Sequence, residues 1–207
     1  MAKFTKQSLT VKNLQKTILE QKKEIKRLKF LANKDLLTGL YNRHGFIEEA
    51  EKFFDSIKKQ KSKEKRKFNI ENFSIIFIDL DNLKPVNDLY GHKNGDLLLV
   101  AVADILKKSL REIDIISRWG GDEFIVGLIN TEEQESVKIA EKVRKKISEI
   151  KIKSIPKKTK FSASIGIVSA NNQKRKHAKS LYELIEKADL AMYEAKKENG
   201  KNFIVVF

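Results

Sequence analysis

The chain has 207 residues, enough for one full-sized domain and an appendage, with 43 Lys and Arg against 28 Asp and Glu and a formal net charge of +15. It contains no cysteine, which excludes a disulfide framework and thiolate metal sites and fits a cytoplasmic location; no stretch reaches the ~18 apolar residues of a membrane span, and the N-terminus lacks the apolar core of a signal peptide. Lysine supplies most of the positive excess and is spread through the chain, densest from Lys58 to Lys67, which reads as solvated surface; nucleic acid is therefore not expected as a partner.

Residues 1 to 32 are free of glycine and proline and repeat apolar residues at 3,4 spacing. Phe4, Val11, Ile18, Ile25 and Ala32 occupy one heptad seam position, and Gln7, Leu14, Gln21 and Leu28 the other. The pattern predicts a helix of roughly 45 Å at about 1.5 Å per residue. Two readings stand: a helix lying along the domain surface, or a stalk that pairs two copies of the chain.

Asp35 to Gly45 reads as a polar loop, followed by a helix from Phe46 to Lys59 and an exposed, charged connection from Lys58 to Arg66. Phe73 to Asp81 reads as a buried strand ending in two carboxylates, Asp79 and Asp81. Asp96 precedes the apolar-periodic run Leu97 to Leu110 and is placed as an N-cap. Strand-like runs at Ile113 to Ile116 and Phe124 to Leu128 flank Gly120-Gly121, where two adjacent glycines suit a tight hairpin turn. Helix Glu132 to Ile150, strand Phe161 to Val168, helix Ser180 to Lys197 and strand Asn202 to Phe207 complete an α+β order.

Asp122 and Glu123 follow the turn directly and point to opposite faces if the second strand is regular. Together with Asp79, they offer strand-end carboxylates of the kind that hold Mg²⁺ against a nucleotide phosphate.

With these motifs in order, the chain resembles the GGDEF family of diguanylate cyclases over residues 33 to 207. The family's four blocks appear as Asp35-Leu-Leu-Thr-Gly-Leu-Tyr-Asn-Arg43, Asp79-Leu-Asp-Asn-Leu-Lys-Pro-Val-Asn87 running on to Asp96, Arg118 to Phe124, and Ala188 to Asn202. Of the nine glycines only Gly127 falls outside the family pattern. The resemblance implies a nucleotidyl-cyclase type of ferredoxin-like sheet, mostly antiparallel and flanked by helices, behind an N-terminal signalling helix.

It also implies roles. Asp79, the Leu80 carbonyl, Asp122 and Glu123 would hold two Mg²⁺, with Mn²⁺ as the alternative ion. Gly120 and Gly121 would shape the catalytic turn. Asn87 and Asp96 would read the guanine edge of GTP, whose paired N1 and N2 hydrogens a carboxylate can accept together. Lys84, Lys196, Lys201 and Arg43 would meet the phosphates or close over the nucleotide. Two domains facing each other, paired through the N-terminal helix, would join two GTP into cyclic di-GMP.

Arg111 and Asp114 match an Arg-x-x-Asp site that many members use to bind the product as an inhibitor; the same pair can be an ordinary salt bridge. Capping likewise competes with base recognition for Asn87 and Asp96. One departure lies near the end, where an extra residue separates Ala195 from Gly200 and Lys201 replaces the family arginine, losing the bidentate fork. The rival readings are a non-catalytic cyclic di-GMP receptor, a nucleic-acid binder, and a cyclase making a mixed dinucleotide.

Overall fold

A computed structural model describes residues 2–58, 70–171, 180–198 and 201–207. In chain order these form α1 (Ala2–Asn33), α2 (Arg43–Lys58), β1 (Asn72–Asp81), α3 (Leu83–Tyr90), α4 (His92–Ser109), β2 (Ile115–Gly120), β3 (Glu123–Ile129), α5 (Glu133–Ser148), β4 (Ser162–Asn171), α6 (Leu181–Glu198) and β5 (Ile204–Val206).

The sheet has five strands in the order β2-β3-β1-β4-β5. The pairs β2/β3, β3/β1 and β1/β4 are antiparallel, and only the short edge strand β5 runs parallel to its neighbour. That parallel pair requires a crossover, which α6 supplies. The expected mostly antiparallel α+β domain is the one observed.

β1 is the central strand, buried on both faces, which is why its sequence is a continuous apolar run instead of an alternating one. Ile76, Ile78 and Leu80 pack under α3, α4 and α5, while Phe73, Ile75 and Phe77 pack under α2 and α6. Alternation along the strand thus assigns Asp79 to the α6 side of the sheet. Ser74, buried inside the same run, keeps its hydroxyl satisfied by the Thr131 carbonyl and Ser169 Oγ.

α1 does not lie on the domain. Val11, Leu14, Ile18, Ile25 and Leu28, the apolar seam, are 49 to 57% exposed. The surface-lying reading therefore gives way to a helix projecting from it. Its C-terminal end is stapled to the domain: Asn42 Nδ2 donates to the Ala32 carbonyl at 2.8 Å, Asn42 N to the Asn33 carbonyl at 2.9 Å, and Asn33 Nδ2 to Glu48 Oε2 at 2.8 Å. Among the described residues no helix is long and apolar enough to cross a membrane.

Three local expectations change. Asp96 does not cap a helix: α4 begins four residues earlier, at His92, after the corner at Gly91 (φ 82°), and Asp96 sits exposed inside its first turns. α3, which the sequence left within an unassigned segment, folds just before that corner, with Asn82 in the left-handed region (φ 64°) at its start. At the hairpin the two-residue loop is Gly121-Asp122, so Gly120 ends β2 and pairs with Glu123, and only Gly121 has positive φ (35°). The charged connection expected from Lys58 to Arg66 lies almost wholly outside the described residues.

Candidate active site

The ladder between β1 and β3 sets Asp79 opposite Glu123, and Leu80 N donates to the Asp122 carbonyl at 3.1 Å. The acidic turn is thereby fastened to the end of the most buried strand. Trp119 anchors the other side of the hairpin, edge-on to Phe46 of α2 at 6.0 Å and to Phe77 of β1 at 6.1 Å. Arg43 lies over the Trp119 ring at 4.7 Å, on the α2 side of the turn.

Asp79 is buried, and its Oδ2 accepts from Lys196 Nζ at 2.6 Å while its Oδ1 has no partner among the described residues. Burial pushes the Asp79 carboxyl up to about 6; the hydrogen bond from Lys196 opposes the rise and the Asp122 charge adds to it. Glu123 is raised too, first by burial and then by the charges of Asp79, Asp189 and Asp122. Asp189 on α6 is raised by burial, with Lys196 pulling the other way.

Asp81, by contrast, has spent its oxygens. It accepts from Ser162 Oγ at 2.6 Å, Ser164 Oγ at 2.9 Å and Asn202 N at 3.2 Å, and so ties β1 to β4 and to the turn before β5. Lys201, in the same turn, donates to Asn82 Oδ1 at 2.7 Å, at the start of α3. Lys84 stands exposed in the first turn of α3. Residues 199–200, part of the lengthened segment between Ala195 and Gly200, lie outside the described residues.

The α3-α4 corner holds the two candidate guanine readers. Asn87 Oδ1 is buried without a partner among the described residues, and it rests against Gly95, where any Cβ would collide with it. Asp96 is the next residue along, exposed on α4. An orphaned amide oxygen beside an open carboxylate offers the acceptors and donors that a guanine edge complements.

The donor set around Asp79 is all oxygen and acidic, which suits a hard cation such as Mg²⁺ or Mn²⁺, and the unpartnered Asp79 Oδ1 is a free ligand atom. Among the described residues, however, no three His, Cys, Asp or Glu side chains converge to hold an ion. Among the described residues, the cation beside Asp79 is Lys196.

Arg111 and Asp114 form a closed unit away from this turn. Arg111 donates through Nε and Nη2 to Asp114 Oδ2 and Oδ1 at 3.3 and 3.0 Å, and Nη2 also reaches the Ile129 carbonyl at 2.7 Å and Thr131 Oγ1 at 2.8 Å. Asp114 additionally accepts from Arg111 N at 2.9 Å and Ile129 N at 3.3 Å. The pair thus fastens the start of β2 to the end of β3.

Sequence reading missed two groups at this end of the sheet. Asp35 accepts from Thr38 N and Oγ1 at 2.8 and 2.7 Å and meets Arg118, whose side chain clasps the hairpin. Asp189 precedes Lys196 by two helical turns, and that spacing on one face of α6 was the signal available for it.

The family model described as the GGDEF domain of diguanylate cyclases matches residues 32–202. The chain is 43% identical to Diguanylate cyclase A of Treponema denticola over 136 residues, covering 66% of this chain and 35% of that protein. It is 32% identical to Diguanylate cyclase DgcM of Escherichia coli over 188 residues, 91% of this chain and 42% of that one. The chain therefore spans less than half the length of these relatives. Among solved structures, the GGDEF domain of TpbB (YfiN) from Pseudomonas aeruginosa superposes with a TM-score of 0.71 at 30% identity, covering 84% of this chain and 93% of that one. The coiled coil and GGDEF domain of DgcB from Caulobacter crescentus, solved with c-di-GMP, superposes with a TM-score of 0.80 over 97% of this chain and 98% of that one, at 19% identity, a likeness of fold that includes the projecting helix. A family match across most of the chain, on the sheet order and acidic hairpin just described, makes this chain a member of the diguanylate cyclase GGDEF domain family.

Proposed function

We propose that this chain is a cyclase module that condenses two GTP into cyclic di-GMP and two pyrophosphates, working as a homodimer through α1. The observation that carries the reading is the buried Asp79 with its unpartnered Oδ1, held opposite Glu123 and bonded through Leu80 to the Asp122 turn. Asp79, Asp122, Glu123 and the Leu80 carbonyl would hold Mg²⁺ or Mn²⁺, which when bound supplies charge neutralisation of the triphosphate and of the displaced pyrophosphate.

The chain's own residues do the rest. Asn87 and Asp96 hold the guanine, and Lys84, Lys196 and Lys201 meet the phosphates, with Arg43 over the nucleotide. The 3′-hydroxyl of one nucleotide attacks the α-phosphorus of the other; the new P–O bond forms as the bond to pyrophosphate breaks. Glu123, whose carboxyl burial pushes above its ordinary value, is suited to accept the hydroxyl proton. Two such displacements, one from each domain, close the ring, so a lone domain holds only half of each reaction centre. Arg111 and Asp114 are proposed as a product-binding inhibitory site, supported by the match of the Arg-x-x-Asp spacing to the family.

The test is incubation of the purified chain with GTP and Mg²⁺, following pyrophosphate and nucleotide products by chromatography. Cyclic di-GMP that disappears with Asp122→Ala supports the reading. No product at high protein concentration overturns it, and direct cyclic di-GMP binding lost in Arg111→Ala would then identify a receptor.

A further inference from the structure

Lys196 Nζ sits 2.6 Å from Asp79 Oδ2, on the side chain nearest to being a metal ligand. The Asp79 side chain is 6% exposed and that of Lys196 32%, so the carboxylate is fixed in the wall of the site while the ammonium lies at its mouth on a flexible stem. Asp79 Oδ1, on the same carboxylate, is buried and has no hydrogen-bond partner among the described residues. The neighbouring candidate phosphate contact, Lys201, is turned to Asn82, leaving Lys196 as the cation seated on Asp79.

We propose that Lys196 is a built-in stand-in for the divalent cation: it neutralises Asp79 in the nucleotide-free protein, and passes to the phosphates when a nucleoside triphosphate arrives, freeing Asp79 for the ion. The inference rests on the cyclase reading for the identity of that triphosphate, and on the Lys196–Asp79 contact for the rest.

The physical argument is one of exclusion. An ammonium in contact with Asp79 Oδ2 repels a doubly charged ion approaching Oδ1 of the same group, so the two cations compete for one carboxylate. Leaving Asp79 with no cation is worse, because a buried carboxylate without a counter-charge carries a large desolvation penalty, and Asp122 and Glu123 lie within electrostatic reach of it. Lys196 offsets part of that penalty in the empty site. A triphosphate offers the ammonium a better-hydrated, more strongly charged partner and brings its own ion, so the exchange proceeds without either cation or anion being stranded. Metal and nucleotide then bind with positive coupling, and by linkage each strengthens the other equally.

The experiment uses the full chain, with Mn²⁺ as the metal probe read by electron paramagnetic resonance, and a GTP analogue with a non-cleavable α,β bridge as the nucleotide probe. Lys196→Met is expected to tighten nucleotide-free Mn²⁺ binding about tenfold, within the usual range of coupling between sites, while weakening the analogue. Lys196→Arg, which keeps the charge, should leave nucleotide-free Mn²⁺ binding near that of the wild type and reports on folding. Mn²⁺ affinity unchanged or lowered in Lys196→Met, or no Mn²⁺ bound by either protein, overturns the proposal. Failure of the cyclase reading looks different: the wild type would make no cyclic di-GMP from GTP while Lys196→Met still gained Mn²⁺ affinity.

Discussion

Arg118 Nη1 lies 3.3 Å from Asp35 Oδ2, joining the acidic hairpin to the first loop of the domain. The same guanidinium holds the Gly121 carbonyl through Nε at 3.0 Å and Nη2 at 2.8 Å. Both side chains are about one-fifth exposed, so the contact between them is partly sheltered from competing water. Arg118→Ala is expected to cost about 1–3 kcal/mol of stability and to lower cyclisation beyond the stability loss, because the turn carrying Asp122 loses its brace. Asp35→Ala should do the same, and the double variant should cost less than the sum of the singles, since both remove one bridge. Additive losses in urea unfolding would show that the bridge does not couple the two elements.

Gly95 leaves room for the Asn87 amide, and a methyl group there would meet Asn87 Oδ1. Gly95→Ala should leave the fold intact, since Asn87 can rotate away and alanine favours the helix. It should raise the KM for GTP about tenfold or more by misplacing a base contact worth a hydrogen bond. A KM within twofold of wild type would remove Asn87 from the guanine site.

Asp79 is expected to make stability fall as pH rises. Its folded value of about 6 lies above the ordinary 3.8, so between these values the folded chain binds more protons than the unfolded one. Its unfavourable contribution is absent below about pH 4 and complete above about pH 6, on the order of 3 kcal/mol by linkage. In chelator, Asp79→Asn should therefore be more stable than wild type at pH 7.5, with the gap closing toward pH 4.5, and should make no cyclic di-GMP at either pH. Equal unfolding midpoints for the two proteins at both pH values would refute the raised, buried carboxyl.

Arg111 serves the fold as well as any ligand. Asp114 is 1% exposed at its side chain, and Arg111 is the cation on it. Arg111→Ala should cost about 1–3 kcal/mol, since the Arg111 side chain is half exposed and the Arg111 and Ile129 N–H groups still reach Asp114, alongside any loss of product inhibition. Removing both charges as Arg111→Met with Asp114→Leu should recover part of that stability while inhibition stays lost. If the double variant is less stable than the single, the pair is net stabilising in its own right.

The strands and most helices were legible because burial on two faces or one writes itself into apolar spacing, as in Phe73 to Leu80. The acidic hairpin was legible for the same reason, since Gly120-Gly121 sits between two such runs. The start of α4 was not: Asp96 has the chemistry of a cap, but the chain turns earlier, at Gly91, where φ is 82° and the backbone decides the boundary. Gly127, which no motif explained, has a packing reason, since a Cβ there would press the Phe73 ring at 3.0 Å. Arg118, Asp35 and Asp189 were read past because their roles depend on partners far away in sequence or on a face that only the folded sheet defines.

The stapled end of α1 turns a length into an angle. The helix runs without a break from Ala2 into the corner fixed by Asn33, Asn42 and Glu48, the corner that leads on to Asp35. Each residue added to it swings its far end by about 100° around the axis and moves it about 1.5 Å along, whereas seven bring the face back to within about 20° of where it began. In a paired stalk, the rotational phase of the helix therefore sets which aspect of one domain looks at the other. A screw thread of this kind distinguishes whole heptads from all other lengths.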